Sequence, residues 1–458
     1  MGEEKTAKKV SSTQKRFFGI GDFGFTLMSN IDTFYATYFF TNIAKFSLGI
    51  VTTITTISAI VDAILSCLYG AWMNKIKPKK WGRYRSWLIL TPWMVPFLYA
   101  LQFFKINNGI GGIIVMTVAM ITSRIAWNIP YIANISMINV AGKTTEDRMA
   151  LSSTRMVWTS LGSVIYSYAG PIVVALFANM LGESNAYAAT AFVFAALMAA
   201  GYFAHFKMFT GYEETGEEEL ARLQKEAAAR AEDKKQQKVS AWAAIRCNPH
   251  LIGLIFSSTT KYMVLFLVNG IAVYYFTYIS HNPALLATFV LITNLLGVVA
   301  SYVSKYVVAK LSAKSTIVYG YLVMAVGMII AFLIYQNTWG VIALMCLVVF
   351  AMTLTNACEP ELFANCAGYS SAKTGYDTTG TVMGLLTVPV KVGIVMRGIL
   401  IGAALAIGGF SADIDPATAS EAVQRGICIG FMIIPAVVIF VGAMVLLFGY
   451  RLDRENVG

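Results

Sequence analysis

Long apolar runs separated by short polar segments limit the fold of this 458-residue chain more than any other feature. Runs that include residues 324–335, 341–354 and 430–449 are typical, because a helix needs about 20 mostly apolar residues to cross a bilayer. Hydrophobic residues make up 57% of the chain and charged residues only 13%, which is too little charge to cover a soluble protein of this length. We therefore predict an all-α membrane protein with many spans.

Twelve apolar segments are long enough to be spans, and one polar stretch divides them into two sets of six. The predicted spans are 17–44, 49–73, 86–104, 110–141, 150–180, 186–208, 249–279, 284–309, 315–335, 339–365, 378–409 and 423–450. Residues 210–240 are rich in Glu, Ala, Lys and Arg, which is typical of a surface helix. The predicted organisation is an N-tail at 1–16, a six-helix bundle at 17–209, a linker with a surface helix at 210–248, a second six-helix bundle at 249–450 and a C-tail at 451–458. Two six-helix halves of this kind are the layout of the major facilitator fold.

Basic residues indicate the orientation, since an even number of spans places both termini on one side. Segments on that side hold 27 of the 35 Lys and Arg residues, and loops on the other side hold three, Lys45, Lys105 and Arg425. The 27 are five in 1–16, six in 73–86, two in 142–149, eight in 207–246, three in 305–314, and Lys373, Arg451 and Arg454. Because basic residues concentrate in cytoplasmic loops, we expect a bacterial cytoplasmic (inner) membrane protein with both termini in the cytoplasm. The net charge of +11 then reflects topology, and we expect no nucleic-acid partner.

Several classes of site lack their sequence signatures. The six cysteines form no CxxC motif and there are only three histidines, which argues against a metal site and a disulfide framework. Residues 1–16 are polar and basic without a short apolar core, so we expect no cleaved signal peptide. No GxxxxGK[ST] loop occurs, which argues against transport driven by ATP. We expect no enzyme activity, no cofactor and no metal, and a monomer in the lipid bilayer.

Motifs in a specific order resemble one transporter family. Asp62 in the second predicted span is followed by WGRYRSW at residues 81–87. The other matching motifs are GIGDFG at 19–24, NIPY at 128–131, Asp147 and Arg148 with Arg155, and the segment 362–369 that leads to Lys391. Over nearly its whole length the chain resembles the glycoside–pentoside–hexuronide:cation symporter family, the group of melibiose permease.

This resemblance implies a function and a mechanism. A member of the family is expected to have the major facilitator fold, to work by alternating access around a central site between the two halves, and to couple transport to Na+, H+ or Li+. The expected function is secondary active transport of a sugar or sugar-derived solute, such as a glycoside, pentoside or hexuronide. The alternatives are a transporter of a non-sugar organic or lipid-like anion, a uniporter, and a non-transporting membrane receptor or scaffold.

Charged residues inside the predicted spans are the candidate site, because such residues are costly in lipid and usually face the bundle interior or water. These residues are Asp32, Asp62, Arg124, Arg155, Lys261, Lys391 and Arg397. In the fourth span Arg124, Trp127, Asn128 and Tyr131 recur at helical spacing and share one face. A cation, an amide and aromatic rings on one face suit a polar ligand. The alternative is that this face joins helices, with Arg124 paired to Asp32 or Asp62.

Further solute contacts are predicted on three other spans. Asp22 and Thr26 lie on one stripe of the first span, although Asp22 equally fits a cap at the cytoplasmic end of that helix. Arg155 opens the fifth span and Lys391 lies in the eleventh, and the resemblance implies a solute or coupling role for Lys391. Lys261 and Arg397 are taken as gate or packing residues.

The coupling site is predicted at Asp62, with Ser66 one turn away, Asn128 facing them and Asp32 as the second candidate. In the sodium-coupled members that the chain resembles, carboxylates occupy the positions of Ser66, Asn128 and Thr26. A hard cation prefers several charged oxygen ligands, so their loss argues against sodium. Proton coupling stays open, because burial favours the neutral form of a carboxylic acid.

The same replacements indicate the solute. The predicted site has lost negative charge and gained Arg124, and a guanidinium binds a carboxylate, sulfonate or phosphate bidentately. We therefore predict a solute that carries negative charge, such as an acidic sugar derivative. At the cytoplasmic helix ends, Arg85, Asp147 and Arg148 are predicted to form ion pairs that close the inner side.

Overall fold

The computed structural model describes residues 10–75, 79–105, 109–142, 144–213, 245–356, 358–375 and 378–452. Within these ranges the regular structure is helical, apart from one isolated bridge between Lys79 and Gly82. Most of the predicted linker with its surface helix, and the end of the C-tail, lie outside the described residues. The predicted N-tail contains a short helix, which Ser11 and Gln14 cap by reciprocal hydrogen bonds.

Seventeen α-helices follow one another along the described chain. Those before the linker are α1 Ser12–Phe17, α2 Ile20–Tyr38, α3 Leu48–Lys75, α4 Trp87–Leu90, α5 Val95–Leu101, α6 Ile110–Ala141, α7 Thr145–Leu181 and α8 Glu183–Met208. Those after it are α9 Pro249–Tyr278, α10 Leu285–Lys310, α11 Ala313–Leu333, α12 Thr338–Asn356, α13 Glu359–Thr374, α14 Thr379–Gly384, α15 Thr387–Ile407, α16 Glu421–Cys428 and α17 Ile434–Gly449. They occupy the positions of the twelve predicted spans, and ten stretches in the described residues are long and apolar enough to cross a membrane.

Breaks inside predicted spans are the main difference from the expected continuous helices. The third span is α4, a 3-10 turn and α5, because Pro92 and Pro96 cannot donate backbone hydrogen bonds. The tenth span comprises α12 and α13, and Pro360 lies in the first turn of α13. The eleventh is divided into α14 and α15, and a π turn precedes Pro435 in the twelfth. Hydropathy alone does not detect the break in the third span, because mostly apolar residues surround Pro92 and Pro96.

Two compact units make up the chain. One is Met1–Phe46 with Ile57–Ala231, and the other is Ser47–Thr56 with Glu232–Gly458. In the first unit α2 packs on α7 and α8, and in the second α9 packs on α15 and α17. Both α2 and α9 therefore lie inside their own units and carry polar side chains there.

Small residues bring α2 and α8 close together. Gly21 and Gly24 of α2 face Tyr202 and Met198 of α8, and Gly201 faces the start of α2. Without side chains at these positions the two backbones approach closely, as is common in membrane helices. This contact sets the position of Asp22 and the rest of the first turns of α2.

We predict that Gly24→Ala destabilises the protein by about 1–3 kcal/mol, the usual cost of overpacking. An added Cβ would lie 2.5 Å from the Met198 Cα, so one helix must move away. Thermal unfolding of the purified protein measures the effect. Gly111→Ala is the control, because its Cβ would meet no atom within 4 Å. Equal unfolding temperatures for the two variants would contradict the close contact.

Candidate functional site

A buried ion pair joins α2 to α7. The Arg155 guanidinium lies 2.8 Å from Asp22 Oδ1, and Asn134 of α6 donates a hydrogen bond of 2.8 Å to Asp22 Oδ2. Asp22 is 1% exposed and Asn134 is fully buried. The carboxylate therefore connects three helices, and its contacts extend well beyond those of a helix cap. Two residues that were predicted on separate spans are brought together here.

A second ion pair lies further along α2. Arg124 of α6 places Nη2 3.3–3.4 Å from both carboxylate oxygens of Asp32, and its Nε donates a hydrogen bond of 2.6 Å to Ser58 of α3. Only 8% of Arg124 is exposed. The Asp32 contact is longer than the 2.7–2.9 Å typical of a charge-assisted hydrogen bond. Arg124 is thus held firmly by a neutral hydroxyl and loosely by a carboxylate.

Asp62 lies one helical turn beyond Ser58 on α3 and contacts α6, the fourth predicted span. The Asn128 amide donates a hydrogen bond of 2.5 Å to Asp62 Oδ1 and another of 2.9 Å to the Arg124 carbonyl. Asp62 is 2% exposed and Asn128 is 1% exposed. The expected meeting of Asp62 and Asn128 is therefore observed. The Ser66 side chain lies outside the described part of the structure.

Aromatic rings line the same region of the first unit. Phe25 of α2 stacks on Tyr131 with ring centroids 4.4 Å apart and lies 5.1 Å from Trp127. The Arg155 guanidinium lies over the Tyr131 ring at 5.8 Å. All three rings are half-buried. Thr26 donates its hydroxyl hydrogen to the Asp22 carbonyl within α2, so its oxygen remains an acceptor.

Acidic and basic side chains nearly balance in this region. Within the first unit, the residues just described include three carboxylates, Asp22, Asp32 and Asp62, and two guanidinium groups, Arg124 and Arg155. Each arginine lies beside a carboxylate on α2. The pair of Arg124 with Asp32 agrees with one of the expected alternatives, whereas the pair of Arg155 with Asp22 depends on helix packing that spacing along the chain does not show.

The predicted cytoplasmic gate residue Arg85 binds the end of α8. Its Nε donates a hydrogen bond of 2.7 Å to the Phe206 carbonyl, and its Nη2 donates one of 2.6 Å to the Thr210 hydroxyl. Glu213 accepts hydrogen bonds from the backbone N–H groups of Tyr84 and Arg85. Burial raises the pKa of Glu213 above its usual value, and these hydrogen bonds oppose the shift. Burial likewise lowers the pKa of Arg85, and the charge of Glu213 opposes it.

The other two predicted gate residues have different partners from Arg85. Asp147 forms an ion pair of 2.5 Å with Lys15, and Arg148 donates a hydrogen bond of 2.8 Å to the Gly142 carbonyl. Arg148 is exposed. The described contacts of the three residues are therefore local to helix ends of the first unit.

In the second unit, α15 carries half-buried Lys391 and buried Arg397. Lys261 of α9 is 1% exposed. Its ammonium group lies 2.7 Å from Glu359 Oε1 and donates a hydrogen bond of 2.5 Å to Asn356 Oδ1. Lys261 therefore has specific polar partners that the interpretation as a gate or packing residue did not include.

Sequence signals existed for the contacts that were not predicted. Asn134 continues the face of α6 that carries Tyr131, one turn further on, and Ser58 precedes Asp62 by one turn of α3. Glu359 lies within a predicted span, where an acidic residue is unusual. Phe25 had no such signal, because a phenylalanine in an apolar helix is ordinary.

Buried ion pairs inside a bundle of membrane helices are typical of transporters, and solved structures identify the fold. One similar structure is a bacterial homologue of the human lysosomal transporter Spinster, in an inward-facing and unoccupied conformation. The similarity covers 97% of this chain and 100% of that protein, with a TM-score of 0.67 and 12% sequence identity. A D-xylose–proton symporter matches 96% of this chain over 97% of its own, with a TM-score of 0.60 and 13% identity. The chain thus has the fold of these two transporters.

Residues 17–454 match the family described as MFS/sugar transport protein. The chain belongs to this family, which is the glycoside–pentoside–hexuronide group that its motifs indicate. It is therefore a secondary transporter of sugar-type solutes and not an enzyme.

Curated relatives are similar over almost the whole chain. The isoprimeverose transporter of Lactiplantibacillus pentosus is 24% identical over 98% of this chain and 90% of the relative. The putative glycoside/cation symporter YagG of Escherichia coli K12 is 22% identical over 98% of this chain and 94% of the relative. A putative sulfoquinovose importer of Salmonella typhimurium is 22% identical over 98% of this chain and 91% of the relative. Cation symport therefore recurs among proteins similar to this chain.

We predict that Asp22→Asn and Arg155→Met each destabilise the protein by roughly 3 kcal/mol, because either change leaves one buried charge without its partner. The double variant should lose less unfolding free energy than the sum of the losses in the two single variants. A double-mutant cycle of unfolding free energies measures this coupling. The matched control is the cycle of Asp147→Asn and Lys15→Met, whose side chains are 19% and 32% exposed, and we expect a coupling of about 0–1 kcal/mol there. Additive losses at Asp22 and Arg155 would show that the pair contributes nothing.

Proposed function

We propose that this transporter carries a proton together with a sugar derivative that bears a negatively charged group. The observation that carries the proposal is the position of Arg124. It is buried inside the first unit, half-buried aromatic rings lie on the same face of its helix, and its contact with Asp32 is loose. A solute anion can replace Asp32 with little loss, whereas the bond to Ser58 keeps the guanidinium oriented.

The solute site that we propose combines this guanidinium with aromatic faces. Trp127, Tyr131 and Phe25 form one aromatic group, and rings of this kind cover the apolar face of a sugar while polar groups fix its hydroxyls. The further contacts are proposed at Thr26, Asp22, Asn128 and Arg155 of the first unit. Thr26 and Asn128 supply neutral hydrogen-bonding groups.

Charge balance links the solute to a proton. With all three carboxylates ionised, the five charged groups Asp22, Asp32, Asp62, Arg124 and Arg155 sum to one negative charge. An anionic solute would add a second negative charge in a region of low dielectric, where like charges repel strongly. A proton taken up at Asp62 offsets that charge. We therefore propose Asp62 as the coupling residue, with Asp32 as the second candidate because it loses Arg124 when solute binds.

Sodium fits these residues less well than a proton. The Asp62 carboxylate lies against the Asn128 amide hydrogen atoms, and a Na+ site would need further oxygen ligands facing it. The relative named as a putative glycoside/cation symporter supports coupling to a cation without indicating which one.

A neutral glycoside is the second candidate solute. It is favoured by the carboxylate that each arginine already has as a neighbour, since a neutral sugar leaves both ion pairs in place. The two candidates differ in what Arg124 does: it binds the solute in the first and only orients helices in the second.

We predict that Arg124→Gln lowers the uptake of hexuronides in proteoliposomes at least tenfold more than that of neutral glycosides. The loss of one charge-assisted contact costs about 1.5–3 kcal/mol, which corresponds to this factor. Arg425→Gln is the control, because 61% of the Arg425 side chain is exposed and it lies outside the proposed site. An equal loss for charged and neutral solutes would favour the second candidate.

We predict that Asp62→Asn abolishes accumulation driven by a proton gradient while solute exchange across the membrane continues. The amide cannot carry the proton but keeps the size of the side chain. Uptake with and without an inward pH gradient, and with Na+ or choline, measures the coupling. Asp413→Asn, at an exposed position, should behave as the native protein. Stimulation by Na+ without a pH gradient would reject proton coupling.

A further inference from the structure

A cluster of buried polar side chains surrounds the Asp22 carboxylate. Asn134 of α6 and Arg155 of α7 both contact this carboxylate at 2.8 Å, which places their side chains close together. Tyr202 of α8 packs against Gly21, the residue before Asp22. The charges of Asp22 and Arg155 act on the Tyr202 phenol. Four helices of the first unit therefore contribute to one polar region.

Three of these side chains keep a buried polar atom that no group in the described part of the chain satisfies. The three atoms are Asn134 Oδ1, Arg155 Nε and the Tyr202 hydroxyl oxygen. Asn134 and Tyr202 are fully buried. A buried donor or acceptor without a partner has lost its hydration and gained nothing in return, so native proteins contain few of them. Three such atoms around one carboxylate point to a molecule that binds between them.

His205 extends this cluster toward the end of α8. It lies three residues after Tyr202, and so on the same face of the helix, and it is fully buried. The rings of Phe18 and Phe209 contact its imidazole, with centroids 4.6 and 4.7 Å away. Neither ring nitrogen has a hydrogen-bonding partner among the described residues. A neutral imidazole has one N–H donor and one acceptor, so His205 offers both to a bound molecule.

The unsatisfied atoms define the kind of molecule that fits. Arg155 Nε can only donate a hydrogen bond and Asn134 Oδ1 can only accept one, so the ligand must do both. It must be neutral, because the charges of Asp22 and Arg155 already cancel each other. It must also be small, because Asn134 and Tyr202 are fully buried. Water meets the three conditions, and a buried water typically makes about three hydrogen bonds.

We propose that this cluster is a binding site for ordered water, which hydrogen-bonds to the unsatisfied atoms of Asn134, Arg155 and Tyr202. The hydration extends to His205. The water belongs to the first unit and is bound with or without solute. It solvates both charges of the ion pair whenever the pair opens, which lowers the cost of their separation relative to a dry interior. The site requires neither the solute nor the coupling ion proposed above.

Radiolytic footprinting of the native full chain, without solute, tests the site directly. X-ray pulses generate hydroxyl radicals from water, so a buried ring is oxidised only where water lies beside it. We expect mass spectrometry to show that Tyr202 is oxidised several-fold faster than Tyr275, although both are fully buried. Tyr275 is the matched control, because its hydroxyl already donates a hydrogen bond of 2.8 Å to the Tyr335 carbonyl.

The same experiment distinguishes ordered water from bulk water. The protein is mixed rapidly into water enriched in oxygen-18 just before the pulse. A water molecule that exchanges slowly still supplies the ordinary isotope to Tyr202, whereas bulk water supplies the heavy one. We expect the ordinary isotope to dominate in the oxidised Tyr202 immediately after mixing.

Removal of one hydroxyl gives a second measurement, in which a wet and a dry cluster have opposite signs. If water satisfies the Tyr202 hydroxyl, Tyr202→Phe loses a hydrogen bond and the melting temperature falls. If the hydroxyl has no partner at all, the same variant removes an unsatisfied polar group and the melting temperature rises. We expect a fall comparable to that of Tyr275→Phe, which loses the bond to the Tyr335 carbonyl.

The outcomes are distinct. Oxidation of Tyr202 by slowly exchanging water, with a lower melting temperature of Tyr202→Phe, supports the site. Oxidation of Tyr202 as slow as that of Tyr275, or a higher melting temperature of Tyr202→Phe, overturns it because the cluster is then dry. Oxidation by the heavy isotope alone overturns it as well, because the region is then continuous with bulk water. If Tyr202→Phe is not recovered as monodisperse protein, the footprinting of the native chain decides.

Discussion

Charge neutralisation inside a bundle of membrane helices is the constraint on which the rest of this structure depends. An isolated charge in hydrocarbon costs several kcal/mol, so each one must meet an opposite charge or several hydrogen bonds. Arg124 meets Asp32, Arg155 meets Asp22 and Lys261 meets Glu359. These contacts determine which faces of the helices point inward, and they also place polar groups where a solute or an ion can compete for them.

Helix α2 shows how far that constraint reaches. Its two aspartates are ten residues apart, or about 15 Å along the helix at 1.5 Å per residue. Asp22 pairs with α7 and also accepts a hydrogen bond from Asn134 of α6, and Asp32 pairs with α6, so α2 is attached at two heights. Glycines hold its other side against α8. A movement of α6 relative to α2 must exchange the Arg124 contact, which makes the looser of the two ion pairs the one suited to change during transport.

The class of fold and most of its helices could be predicted from hydropathy and charge, because lipid imposes the same length and polarity on every span. Spacing within α6 also predicted that Arg124, Trp127, Asn128 and Tyr131 share a face, and the meeting of Asn128 with Asp62 followed from it. The partner of each charge was harder to predict. Asp22 fitted a helix cap as well as a binding role, and only the packing of α2 on α7 shows that Arg155 is its neighbour. For Arg124 the sequence offered Asp32 and Asp62 as alternative partners, and only the packing of α6 on α2 shows that Asp32 lies beside its guanidinium. The break in the third span escaped prediction because mostly apolar residues surround Pro92 and Pro96.

The short third span has a consequence for the surrounding lipid. The stretch Trp87–Leu101 covers roughly 22 Å at 1.5 Å per residue, whereas the hydrocarbon core of a bilayer is about 30 Å thick. Its exposed side chains include Trp93, Met94 and Phe97, so part of this surface is apolar and suited to contact acyl chains. A bilayer beside so short a segment must become thinner or let water and headgroups reach deeper. The elastic cost of that deformation depends on acyl-chain length, which makes membrane thickness a physical variable that acts on this transporter from outside.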